Sequence, residues 1–200
     1  MSYAQIVLAS RSPRRSQLLR QIGVPHEVLA VEFDEARLPG ESPREYVQRL
    51  AGDKAVHALR LAAGGGECPV MTADTVVALG DEILGKPESA TDCDRILGAL
   101  SGRTHEVMTA VALHHAGALR LELSVSRVTF RSIDIDERLA YWRTGEPADK
   151  AGGYAIQGLG AVFIERLEGS YSGVMGLPLY ETTRLLQAAG VRLWQEWESP

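Results

Sequence analysis

Cysteine is scarce in this chain. Cys68 and Cys93 are the only two among 200 residues, too few and too isolated for a disulfide framework or a cysteine metal site. Long apolar runs are missing as well: no stretch approaches the ~18 apolar residues of a membrane span. The order of a signal peptide is also absent, because Arg11, Arg14 and Arg15 follow the first apolar run instead of preceding it. These absences make a cytoplasmic location without a membrane partner the expectation. Positive charge is short too. A net charge of −5 argues against a nonspecific nucleic-acid binder. It leaves room for a local basic cleft that takes a phosphorylated small molecule. Lysine is scarcer still: Lys54, Lys86 and Lys150 stand alone among 21 basic residues. Each is therefore a candidate compact, three-donor point charge. No internal repeat or low-complexity linker divides the chain. It contains no P-loop, no serine in a nucleophile elbow and no histidine pair at zincin spacing.

What is present is an ordinary globular composition, 45% hydrophobic and 24% charged. Two hundred residues suffice for one good-sized core or two small lobes around a cleft. The organising stretch runs from Pro69 to Pro87. An apolar strand delivers one carboxylate, Asp74; the chain turns at Gly80-Asp81 and meets Lys86 between Gly85 and Pro87. A carboxylate in such a strand is costly to bury without a cation, a metal or hydrogen-bond donors. Lys86 is the cation nearest in sequence that can supply the opposite charge. A structural ion pair or a solvated strand-end acid remains the plain alternative.

Upstream, Tyr3 to Leu8 reads as a first strand that breaks into Ser10-Arg11-Ser12-Pro13-Arg14-Arg15 and then a helix ending at Gly23. Ser12 is placed to cap that helix, with Pro13 at its first position. Free backbone N–H groups, serine hydroxyls and two arginines at a helix start make a phosphate site. Val24 to Val31 reads as a second strand, followed by a loop with Glu32, Asp34 and Glu35. Ser42, Pro43 and Glu45 form a capping-box pattern for a helix to about Ala63, closed by Gly64-Gly65-Gly66. Its inward stripe, Val47, Leu50, Ala51, Ala55, Ala58 and Leu59, contains Lys54 where a leucine is expected. Either the lysine snorkels out, or its ammonium points into a cleft toward phosphate or an acid.

Thr91 is read as the cap of the next helix. Arg103 to His115 and Leu119 to Phe130 form an antiparallel hairpin, with Thr104 and His105 at its start and His114 and His115 solvated near its turn. Ile135 to Thr144 is a short helix. Asp149 to Gly160 then packs four glycines around Lys150, Tyr154 and Gln157. Such backbone lies close against a ligand or a neighbouring strand, and Gln157 offers both a donor and an acceptor to a base edge or ribose. Ala161 to Leu167 is a further strand, and one last helix leads to a tail with Trp194 and Trp197.

Ser10, Arg14, Arg15, Lys54, Asp74, Lys86 and Gln157, with Glu35 and Asp149, suit phosphoryl chemistry. Cations hold phosphates while a carboxylate holds Mg²⁺ or orients water. The segments that carry these residues resemble the Maf family of nucleoside triphosphate pyrophosphatases, often labelled septum formation inhibitors. The resemblance rests on Ser10 to Arg15, Phe33-Asp34-Glu35, Lys54, Thr72-Ala73-Asp74-Thr75 and Gly85-Lys86-Pro87. It continues through Ser101-Gly102-Arg103-Thr104-His105, Thr109-Ala110-Val111 and Asp149 to Gly158.

The resemblance implies an α/β fold: a mixed, elongated central sheet flanked by helices, in two lobes around a cleft, like Maf and inosine-triphosphatase proteins. Residues 1–200 would form one such domain. The family is usually dimeric, so a homodimer is implied. The implied reaction cleaves a nucleoside triphosphate between the α and β phosphates with a divalent metal, Mg²⁺ or Mn²⁺. By the same resemblance Asp74 is base or metal holder, and Arg14, Lys54 and Lys86 hold the triphosphate. Gln157 and Ser10 lie near sugar or phosphate, and Glu35, with Asp34 as the alternative, assists the metal. Arg15, Thr75, Thr104 and Lys150 in the matching segments are further substrate-binding candidates. Ala-Asp-Thr together with Gly-Gly-Tyr-Ala-Ile-Gln-Gly resembles the branch acting on dTTP and UTP. Rival readings are a pyrophosphatase for ITP, XTP or 7-methyl-GTP, and a nucleotide-binding cell-division factor without enzymatic activity.

Overall fold

The computed structural model describes residues 5–62 and 68–194. Tyr3, Ala4, Ala63, Gly64, Gly65, Gly66 and Trp197 lie outside the described residues. The elements in chain order are β1 (Ile6–Ala9), α1 (Pro13–Gln21), β2 (His26–Leu29), α2 (Pro43–Leu61), β3 (Val70–Leu79), β4 (Glu82–Leu84) and α3 (Ala90–Leu100). There follow β5 (Thr104–His115), β6 (Ala118–Phe130), α4 (Ile135–Arg143), β7 (Ile164–Glu168), α5 (Tyr171–Met175) and α6 (Leu179–Ala188). Short 3-10 turns at Glu146–Asp149, Ala151–Gly153 and Leu159–Phe163 carry the chain from α4 to β7.

The strands form one mixed sheet in the order β2-β1-β3-β5-β6-β7, with β4 beside β3. β1 pairs in parallel with β2 and β3, and the remaining pairings are antiparallel. The α/β architecture with a mixed central sheet flanked by helices is thus the one the family resemblance implies. β3 is its axis. β1 takes Val70 and Met71, and β4 takes Val77 to Leu79. Among the described residues, positions 72–76 therefore have a strand neighbour only on the β5 side. The sheet is open on that edge, at Asp74.

Strand alternation divides β3 between two cores. Val76 and Ala78 pack with Val47, Ala51 and Ala55 of α2, while Thr72 Oγ1 donates to the Ala51 carbonyl at 2.6 Å. On the opposite face, Met71 and Ala73 join Leu18 and Leu19 of α1 and Leu185 and Leu186 of α6. Val77 joins Cys93, Ile96, Leu97 and Leu100 of α3, with Tyr141 of α4. Asp74 shares its face with Thr72 and Val76, which turns it toward α2.

The capping box of α2 forms: Ser42 Oγ accepts from the Glu45 N–H and the Glu45 carboxylate accepts from the Ser42 N–H. Two other caps differ from expectation. Ser12 stands at the start of α1, but its side chain makes no cap bond; Ser10 Oγ instead accepts from the Ser12 N–H at 3.1 Å. Ser89, not Thr91, caps α3 by accepting from the Asp92 N–H, because Thr91 already lies inside the first turn. The second strand is shorter than read, His26–Leu29. β7 begins only at Ile164, since Ala161 to Phe163 belong to a 3-10 turn. The last helix is two helices, separated where Gly176 adopts φ 114° and Pro178 follows.

The β5–β6 turn uses Ala116 (φ 50°) and Gly117 (φ 76°), both left-handed, as a two-residue hairpin requires. His114 and His115 are half-buried, so they are only partly solvated. They occupy ladder positions, His114 between Val70 and Leu119 and His115 opposite Ala118. Among the described residues no helix is long and apolar enough to cross a membrane. Both cysteines are free thiols.

Candidate active site

A cleft of about 960 Å³ opens along the unpaired edge of β3, and Asp74 lies in its wall. The Asp74 residue is only 8% exposed. Its counterion is Lys54, whose Nζ lies 2.6 Å from Asp74 Oδ1. The same ammonium lies 2.6 Å from Glu35 Oε1. The intruder in the α2 stripe thus points into the cleft and bridges two carboxylates. Burial pushes the Asp74 carboxyl above its ordinary value, against the opposing pull of Lys54 and Arg15. Burial also pushes Glu35 upward, but its bond to Lys54 and the charges of Lys54, Lys86 and Arg15 prevail, leaving it below its ordinary value.

Lys86 is therefore not the partner of Asp74. It is exposed on the cleft wall just beyond β4, where its charge acts on Glu35. The reason is geometric. Asp74 faces α2, so Lys54, about three turns into that helix, reaches it before a lysine past the end of the neighbouring strand. Tyr46, two turns before Lys54 on α2, lines the same cleft and donates its hydroxyl to the Glu35 carbonyl at 2.8 Å. That contact fixes the loop carrying the second carboxylate.

The β1–α1 segment supplies Ser10, Arg14 and Arg15 to the cleft wall. Arg15 is spent on protein groups. Its Nε donates to the Gly176 carbonyl at 2.8 Å, Nη1 to Ser10 Oγ at 3.3 Å and Nη2 to Thr75 Oγ1 at 3.2 Å. Thr75 also bonds Thr109, which donates to the Gly173 carbonyl. Ser10, Arg15 and Thr75 thus form one internal brace that leaves a buried positive charge beside Asp74. Burial lowers the Arg15 pKa while Asp74 opposes the fall. Arg14 lies 3.6 Å from Asp149, which also accepts from Lys150.

Asp149, Lys150, Tyr154 and Gln157 all line the cleft, so the glycine-rich segment lies against it as expected. Gly152 has φ 71°, and a Cβ there would meet Val77 at 2.9 Å. Thr104 does not line the cleft. It is exposed and its hydroxyl bonds Thr129 at 2.9 Å. Ala110, not Thr104, sits opposite Asp74, and six strand residues separate them by about 20 Å. His105 is buried under the segment, with Nε2 bonded to the Tyr154 hydroxyl at 2.8 Å. Burial lowers its pKa to about 4.

Among the described residues, no group of three or more His, Cys, Asp or Glu stands ready to hold a metal. Asp74 and Glu35 nevertheless both reach one ammonium. Two carboxylates converging on one cation, with phosphate oxygens and water completing the shell, is a donor set that Mg²⁺ accepts. The residues fit a metal shared with a phosphorylated substrate, not one enclosed by protein alone.

An α/β cleft with a carboxylate–ammonium centre and basic residues around it defines a phosphate-handling protein. The chain belongs to the Maf family, described as Maf-like protein, which it matches over residues 5–189. It is 54% identical over 193 residues to a dTTP/UTP pyrophosphatase of Saccharophagus degradans, covering 96% of this chain and 92% of that protein. It is 50% identical over 187 residues to a dTTP/UTP pyrophosphatase of Methylococcus capsulatus, covering 94% and 92% of the two chains.

Proposed function

We propose that this protein hydrolyses dTTP and UTP between the α and β phosphates, giving the nucleoside monophosphate and pyrophosphate. The observation that supports it is the Lys54 bridge between Asp74 and Glu35 in the cleft, in a chain half-identical to proteins of that name. Arg14, Lys86 and Lys150 lie where they can receive the triphosphate, and Lys54 can turn from carboxylate to phosphate oxygen. Asp74 orients the attacking water, and a carboxyl raised by burial is the better proton acceptor. Asp74 and Glu35 are the residues that would hold Mg²⁺ or Mn²⁺. That cation would neutralise charge on the phosphate oxygens. Gln157 and the backbone beside it take the pyrimidine ring or the sugar. The same reading makes the protein a cytoplasmic homodimer, as the family resemblance implies.

The test is pyrophosphate release from dTTP, UTP, CTP, ITP, XTP and 7-methyl-GTP with Mg²⁺ or Mn²⁺. Preference for dTTP and UTP is expected. Preference for ITP, XTP or 7-methyl-GTP would overturn the base assignment and keep the reaction. Binding without release from any nucleotide would favour the cell-division factor.

A further inference from the structure

The segment that brings Gln157 to the cleft has no strand ladder of its own. From Tyr154 to Gly158 it is irregular, before the 3-10 turn at Leu159, and its backbone is anchored by two side chains from outside the cleft. Tyr141, in α4, accepts from the Ala155 N–H on its hydroxyl at 3.2 Å and donates that hydroxyl to Glu146 Oε1 at 2.6 Å. Glu146 accepts from the Leu159 N–H on Oε2 and from the Gly160 N–H on Oε1, both at 2.9 Å. One phenol and one carboxylate therefore grip the chain on both sides of Gln157, at Ala155 and at Leu159-Gly160.

The glycines make the grip possible. A Cβ at Gly158 would lie 2.3 Å from Glu146 Oε2, and one at Gly160 would lie 2.6 Å from the Tyr141 hydroxyl. The glycine-rich sequence is thus shaped by these two side chains as well as by whatever fills the cleft. Burial and the bond to Glu146 raise the Tyr141 pKa, so the phenol keeps its proton. Burial raises the Glu146 pKa, but the Tyr141 hydroxyl, the two N–H groups and Lys150 outweigh it and hold the carboxyl below its ordinary value, ionised. Lys150 also donates to the Glu146 carbonyl at 3.3 Å, tying a second cleft residue to the same turn.

We propose that Glu146 and Tyr141 are positioning residues that fix Gln157 against the bound nucleotide without touching it. The assignment rests on the pyrophosphatase reading for its substrate. Tyr141→Phe removes the anchor of Ala155 and one donor to the carboxylate. Glu146→Gln turns one acceptor into a donor that faces a backbone N–H, leaving that N–H without a partner. Each variant should raise the KM for dTTP about 10-fold and change kcat by less than about 3-fold, since binding contacts common to ground and transition states are lost.

The decisive experiment is a double-mutant cycle with Gln157→Ala, read as KM and as the preference for dTTP over CTP. If Glu146 acts through Gln157, adding Glu146→Gln to Gln157→Ala should change KM little further. Equal, additive losses in both backgrounds, or an unchanged KM in Glu146→Gln, would overturn the proposal. Thermal melting run alongside separates a general loss of folding, which would lower the apparent kcat and leave KM unchanged. Should the wild type release no pyrophosphate, the activity reading fails by itself. The same cycle is then read by calorimetric binding of dTTP, where additivity again overturns the positioning role.

Discussion

Lys54 Nζ lies 2.6 Å from Asp74 Oδ1 and 2.6 Å from Glu35 Oε1, although its neighbours on that face of α2, Ala51 and Ala55, are fully buried core. A helix stripe of small apolar residues gives way at one place to a cation, and opposite it a β-strand gives way to an acid. The two exceptions meet. Removing one partner of such a pair strands a largely buried charge, so the ammonium must be replaced by another cation whenever substrate draws it away.

The first prediction follows from that replacement. In the nucleotide-free protein Lys54 occupies the space between the carboxylates, so Mn²⁺ should bind weakly. Lys54→Met leaves two carboxylates facing each other, and Mn²⁺ should then bind at least about 10-fold more tightly, read by paramagnetic resonance without nucleotide. Mn²⁺ should also raise the melting temperature of the variant more than that of the wild type. Equal affinities in the two proteins would show that the ammonium does not hold the metal's place.

A second prediction concerns the glycine segment. Gly152 has φ 71° and would place a Cβ 2.9 Å from Val77. Gly152→Ala should cost about 2–4 kcal/mol, combining left-handed backbone strain with overpacking. Adding Val77→Ala should leave the backbone part and relieve the clash, making the two changes less than additive in urea unfolding. Strict additivity would contradict the contact.

Many of the elements, and most of the candidate residues that line the cleft, were readable in sequence because their signals are local. The sheet that joins them was implied by the family resemblance. Ser42 and Glu45 cap α2 through a fixed spacing of three residues, and Lys54 stands out because a helix stripe has a period. Asp74 was legible as an acid in an apolar strand, but its partner was not. Lys86 is nearer in sequence, whereas the helix that covers the face Asp74 occupies is decided by where α2 crosses the sheet. Thr104 failed for a related reason: a motif shares a strand with Ala110 without sharing its end. Glu146 and Tyr141 carried no signal at all. Their partners lie more than ten residues onward, in a loop whose course no periodicity describes.

Third, His105 makes stability depend on pH. Its folded value of about 4 lies below the ordinary 6.5 because the ring is buried. The unfolded chain binds more protons than the folded one between these values. Its contribution is complete above pH 6.5 and is lost as pH falls toward 4, amounting to about 3 kcal/mol. Urea unfolding across this range should show a steeper acid loss in the wild type than in His105→Gln. Parallel slopes would mean that the ring does not resist its proton.

Fourth, Asp149 is set against Arg14 and Lys150, the cations assigned to phosphate. Its carboxylate is exposed, so its hold on them is modest, and Asp149→Asn should lower the KM for dTTP roughly two- to fivefold. The gain should shrink as salt is raised. A higher KM in the variant would give Asp149 a role in substrate binding instead.

The central claim is that Asp74 stands at the chemistry. Its most direct test is pyrophosphate release from saturating dTTP by wild type and Asp74→Asn, with nucleotide binding and folding checked in both. The account predicts a kcat loss of about 10³-fold in a folded variant that still binds dTTP. A kcat within a few-fold of wild type would contradict it and move the reaction away from the Lys54-bridged carboxylates.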